Sequence, residues 1–113
     1  MTYVRIVATY NDDERQKIII VGPQKETKYL ASNIEMFGYI RDWSEEENNY
    51  VEYPFILRNL SEKDGIADWG AFDTTKTILN LYGRRIAPGE AIERTEDNVI
   101  YNYTISAVTE INA

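Results

Sequence analysis

Gly22-Pro23-Gln24-Lys25-Glu26-Thr27-Lys28-Tyr29-Leu30-Ala31-Ser32-Asn33-Ile34-Glu35-Met36-Phe37-Gly38 is the stretch on which the fold class turns. Read as a helix, it makes the protein α+β. Read as extended chain, it leaves little but strands. Three features favour the helix. Pro23 ends the preceding apolar run and suits the first turn of a helix. Leu30, Ile34 and Phe37 share helical spacing, with Tyr29 and Met36 beside them. Gly38 stands where a helix takes a left-handed cap. The sequence therefore predicts a main helix near residues 25–38.

The segments around it read as strands. Val4, Ile6, Ala8 and Tyr10 alternate with Tyr3, Arg5, Val7 and Thr9, the period of a half-buried strand. Asn11-Asp12-Asp13-Glu14 is a polar turn. Lys17 to Val21 is β-branched and apolar on both faces, which suits the middle of a sheet. Tyr50 to Leu57 alternates again, and Pro54 directs it to a sheet edge or a bulge. Trp69-Gly70-Ala71-Phe72 carries aromatics that would anchor a loop to the core. Residues 74–82 favour a strand, with a second short helix capped by Asp73 as the alternative. Ala91 to Thr95 is a short strand. In Val99 to Ile111, residues Val99, Tyr101, Tyr103, Ile105, Ala107 and Ile111 share one face, and only Ile100 and Val108 break the alternation. The expected fold is a single α+β domain over residues 1–113. It has a curved, mainly antiparallel sheet, with a partly open small barrel as the alternative form, and one main helix.

Composition removes whole classes of function. The 113 residues include no histidine and no cysteine. Ser-His-Asp and Cys-His catalysis, thiol redox chemistry and zinc or iron sites need those side chains. No catalytic residue, cofactor site or metal ligand is assigned. A carboxylate-dependent hydrolase ranks third among the readings, since nineteen acidic residues could supply a pair. Asp12-Asp13-Glu14 lacks the alternating spacing and glycine of a calcium loop. The turn at Val21 to Thr27 lacks the second glycine of a phosphate-binding loop, and Pro23 removes a donor.

The formal net charge is −7, which repels nucleic acid and anionic membranes. Met1 to Ile6 carries an arginine and has no signal-peptide pattern. The expectation is a cytoplasmic protein. Its densest charge lies at Asp42-Trp43-Ser44-Glu45-Glu46-Glu47-Asn48-Asn49, read as an exposed acidic loop, with Glu52 just beyond. Asp42, Trp43, Glu45, Glu46, Glu47 and Glu52 are the candidate partner-binding residues. The carboxylates would meet a basic surface and Trp43 would anchor the contact. The first reading is thus a small acidic interaction module. An inhibitor, an immunity or antitoxin-like protein, or a phage-encoded blocker of a basic nucleic-acid enzyme would fit it. The second is an accessory subunit of a larger assembly, pairing or dimerising through a sheet edge.

Overall fold

The protein is described here from a computed structural model covering residues 2–71 and 73–111. It is all-β, with no helix among the described residues. The strands are β1 (Tyr3–Tyr10), β2 (Lys17–Glu26), β3 (Tyr29–Leu30), β4 (Met36–Ser44), β5 (Asn49–Asn59), β6 (Gly65–Asp68), β7 (Thr77–Leu79), β8 (Ala91–Glu96) and β9 (Val99–Ile111). All pairings are antiparallel. Their order is β1-β9-β8-β7-β6-β5-β4-β2-β3, and β1 also pairs β2. That last pairing closes eight strands into an up-and-down barrel, with β3 left as an extra strand on β2.

The α+β expectation is therefore corrected. The predicted helix at 25–38 is instead the end of β2, a tight turn, β3, a bend and the start of β4. Pro23 caps nothing. It lies within β2 opposite Tyr3, and its carbonyl accepts a bond from Ala31 N–H at 2.9 Å. Lys28 takes a left-handed turn conformation, φ 69°. The helical spacing of Leu30, Ile34 and Phe37 does not describe a face, since Leu30 is buried while Phe37 is 69% exposed. Met36, Gly38 and Ile40 follow the strand period and point inward. The second short helix is absent too, and β7 covers only Thr77–Leu79 of the ambiguous stretch.

Gly38 shows why this segment is a strand. Opposite it, Phe55 lies across the space that a Cβ would occupy: such an atom would sit 2.6 Å from Phe55 Cζ and 2.8 Å from Ile19 O. Gly22 makes the same room for Met36, and Gly65 for Leu57. Small residues facing large ones fill a narrow barrel without voids. The interior holds Val4, Ile6, Ile18, Ile20, Met36, Leu57, Leu79, Ile92, Tyr103 and Ile105, all nearly inaccessible. Leu81, Tyr82, Ile86 and Ala87, from the segment between β7 and β8, are also buried. Tyr82 N–H bonds Lys63 O and Ile86 N–H bonds Lys28 O, which ties that segment across one end of the barrel.

Two sequence irregularities have structural causes. Val108 breaks the alternation of β9 because the register to β1 shifts between Val7 and Ala8. Val7 faces Ala107 while Ala8 faces Ile105, so Ser106 is the extra residue of a β-bulge. Val108 then returns inward and packs against the core, and Ala107 and Ile111 turn outward. Pro54 lies within the barrel wall, yet β6 pairs only Ile56–Asn59 of β5. Pro54 thus has β4 on one side and no strand on the other, where a missing N–H costs nothing.

Candidate functional site: the β4–β5 ribbon and the barrel mouth

β4 and β5 continue beyond the reach of β2 as a two-stranded ribbon. β2 pairs β4 from Phe37 to Arg41, whereas β5 follows β4 to Ser44. Residues 45–48 form the turn, and Asn48 takes φ 50°, a conformation asparagine tolerates. The segment expected as an irregular loop at 42–49 is therefore a hairpin tip. Its outer face is a ladder of cross-strand pairs: Phe37 with Ile56, Tyr39 with Pro54, Arg41 with Glu52, and Trp43 with Tyr50. Trp43 is half-buried. Its ring meets Tyr50 edge to face at 5.2 Å, and the Arg41 guanidinium lies 4.2 Å above the Tyr50 ring.

On the same outer face, Ile19, Val21, Phe37, Tyr39, Pro54 and Ile56 line an apolar groove of about 470 Å³. Its far wall is Asp68-Trp69-Gly70. β6 is too short to close the barrel wall here, and Trp69 fills the opening. Its Nε1–H donates to Thr77 Oγ1 at 3.0 Å and its ring packs on Phe55 at 5.1 Å. The expected aromatic anchor is therefore Trp69; Phe72, named with it, lies outside the described residues.

The six residues singled out in the sequence do not form one patch. Trp43 and Glu52 stand on the outer face of the ribbon, and Glu45, Glu46 and Glu47 are exposed at its tip. Glu45 faces Arg15 at 3.5 Å, which brings the acidic turn at 12–14 beside the tip. Arg15 also grips Asp13 and holds its carboxyl below the usual aspartate range, chiefly through the side-chain bond. Asp42 alternates to the opposite face and points into the barrel mouth.

That mouth holds a polar group that the sequence reading missed. Gln16, Asp42, Tyr53, Trp69, Asp73, Thr75, Arg94 and Glu96 line a cavity of about 310 Å³ with Ile40 at its floor. Arg94 is only 8% exposed. It bonds Glu96 at 2.5 Å and stacks 4.2 Å over Tyr101. Its Nε has no hydrogen-bond partner among the described residues. Alternation along β8 was the available signal: Ile92, Arg94 and Glu96 share a face, and Ile92 is plainly apolar.

Tyr103 lies beneath, fully buried against Tyr10 at 5.2 Å, and its hydroxyl donates to Gln16. Burial pushes the Tyr103 phenol up to about 12, against an ordinary value of 10.0, and Arg94 opposes the rise. The consequence for stability has a definite sign. The unfolded chain releases this proton first, so the contribution is whole below about pH 10 and disappears as pH rises toward about 12. Denaturant unfolding measured across that window should show stability falling with pH, and Tyr103→Phe should flatten part of the fall. An unchanged slope in Tyr103→Phe would place the phenol in water. Tyr82, also raised by burial, supplies a share that remains.

No helix among the described residues is long and apolar enough to cross a membrane. No group of three or more acidic side chains among them is arranged to hold a metal ion. Comparisons with protein families, curated proteins and solved structures find no match.

Proposed function

We propose that the protein is an acidic interaction module that docks on a basic protein partner through the outer face of β4 and β5. The observation that carries this reading is Phe37. It is a large aromatic, 69% exposed, in the middle of a sheet face that also presents Tyr39, Pro54 and Ile56. Such a side chain gains nothing in solution and gains a great deal when a partner covers it. The ladder from Phe37 to Trp43 has four rungs, and its six-residue rise spans about 20 Å.

Charge supports the choice of partner. The apolar centre grades into Trp43, Tyr50 and an exposed tip of three glutamates, on a chain of net charge −7. Among the described residues Glu46 and Glu47 form no ion pair, so their field is directed outward. An apolar centre with a charged rim is the usual anatomy of a protein interface, in which the rim steers and the centre holds. The reading covers inhibitor, immunity, antitoxin-like and blocker roles alike. It places the protein in the cytoplasm, which suits a chain without cysteine.

Two variants test it, with the protein as bait at several salt concentrations. Phe37→Ser alters an exposed side chain and should leave the fold intact. It should weaken partner capture about 30-fold or more, the scale of losing about 2 kcal/mol at an interface centre. Glu45, Glu46 and Glu47 changed together to Gln should slow association and flatten its dependence on salt. Capture indifferent to both variants and to salt would remove this face from the function.

A further inference from the structure

Around the apolar centre of the β4–β5 face the charges alternate in sign. That centre is two rungs of the ladder, Phe37 with Ile56 and Tyr39 with Pro54. The next rung toward the tip is Arg41 with Glu52. At the other end Glu35, just before β4, pairs with Arg58 of β5. All four charged residues are exposed. Taken round the centre, the corners are Glu35, Arg58, Glu52 and Arg41, so each sign is followed by its opposite. This rim is neutral, although the chain carries −7. A uniformly basic partner meets a guanidinium at two of these corners. A second copy of the same face meets an opposite charge at every one.

The complementarity follows from two-fold symmetry, in which each contact between two copies occurs twice. Let the axis lie between the two faces and cross β4 at Gly38, perpendicular to the strand. The β4 strands of the two copies then run antiparallel, one over the other. Phe37 lies over Tyr39 of the second copy and Ile56 over Pro54 of the second copy. Glu35 lies over Arg41 of the second copy and Arg58 over Glu52 of the second copy. Apolar meets apolar and each charge meets its opposite. The reversed strands also carry the two tips to opposite ends, which keeps Glu45, Glu46 and Glu47 of the two chains apart. We infer that the free protein pairs reversibly with a second copy of itself through this face, and that a basic partner competes with that copy. The inference goes beyond the docking reading and rests on the alternation of charge around Phe37. The charged corners lie about 20 Å apart along the strand, six residues at its usual rise. So short a face gives a weak pair, of the class that buries less than about 1,200 Å².

Sedimentation equilibrium of the full chain tests it. A dimer should form with a Kd of about 100 μM or tighter near physiological salt, the range of weak association. Raising salt from about 20 mM to about 500 mM should tighten it roughly threefold or more, because screening removes the repulsion between two chains of −7 while apolar contact persists. Docking on a basic partner should weaken with salt, so failure here and failure of the docking reading are told apart. Arg41→Glu and Glu35→Arg should each weaken the dimer about tenfold or more, since each creates two like-charge contacts. Mixed in equal amounts, the two variants should dimerise again, because the reversed charge at 35 in one chain meets the reversed charge at 41 in the other. Both positions are exposed, so thermal midpoints should stay near that of the parent. Three results would each overturn the assignment: a chain still monomeric at about 1 mM, ten times the weakest Kd expected, a dimer unmoved by Phe37→Ser, or a mixture that pairs no better than its separate components. A monomeric chain that still captures a basic partner through Phe37 would give the face to that partner alone.

Discussion

Tyr103→Ala is expected to destabilise the protein by about 4 kcal/mol, the range for removing a large buried aromatic ring. Tyr103 is inaccessible to solvent at the polar end of the barrel interior. It touches three other parts of that end: the Tyr10 ring at 5.2 Å, the Arg94 guanidinium at 5.9 Å, and Gln16 through its hydroxyl. The barrel wall is continuous around it, so the space left behind cannot collapse. A domain of this size holds about 5–15 kcal/mol in all, and the loss should lower the melting midpoint by roughly 15 °C. Tyr103→Phe keeps the ring and should cost about 1 kcal/mol, the worth of one hydrogen bond. Calorimetry of the two variants checks the pair. A cost below about 1 kcal/mol for the alanine variant would mean that residue 103 faces outward and that the register of β9 is different.

Arg94→Met should cost nearly as much, about 3 kcal/mol, for a different reason. Methionine fills similar space, so packing is not the main loss. The change removes the partner of Glu96 and leaves a carboxylate at the barrel mouth without its cation. Breaking a buried ion pair from one side costs roughly 3–5 kcal/mol, and the partial exposure of Glu96 lowers the figure. Replacing both, Arg94→Met with Glu96→Gln, should recover at least half. Arg94→Lys should not rescue fully, because an ammonium cannot stack flat on Tyr101 as the guanidinium does at 4.2 Å. Denaturant midpoints of the three variants decide the matter. A single variant within 0.5 kcal/mol of the parent, the ordinary range for surface changes, would place Arg94 in solvent.

The docking face and the barrel mouth lie on opposite faces of the same strand. Trp43 and Asp42 are neighbours in sequence, and in the sequence they belong to one acidic cluster. In β4 they are separated by the pleat, Trp43 to the outer ladder and Asp42 to the mouth. Successive side chains of a strand point to opposite faces, so a charge run that reads as one patch becomes two. The acids at the tip escape this division only because residues 45–48 form the turn.

What the sequence by itself determined is local. The alternation of β1 and of the first half of β9 is a period-two pattern, the opening of β2 is a β-branched run, and neither signal needs a partner to be read. The missing histidine and cysteine exclude their chemistry whatever the fold. Tertiary structure decided the rest, because each remaining feature depends on a residue distant in the chain. Residues 25–38 have helical spacing, and they are strand and turn because Gly22 admits Met36 and Gly38 admits Phe55, contacts a single segment cannot reveal. Closure depends on β1 meeting both β2 and β9, the latter about 100 residues away. The place of Val108 depends on a bulge in that pairing, and the burial of Arg94 on the aromatic rings that β9 sets beside it. Backbone propensity is small beside what packing contributes, so local ambiguity was resolved by the barrel as a whole.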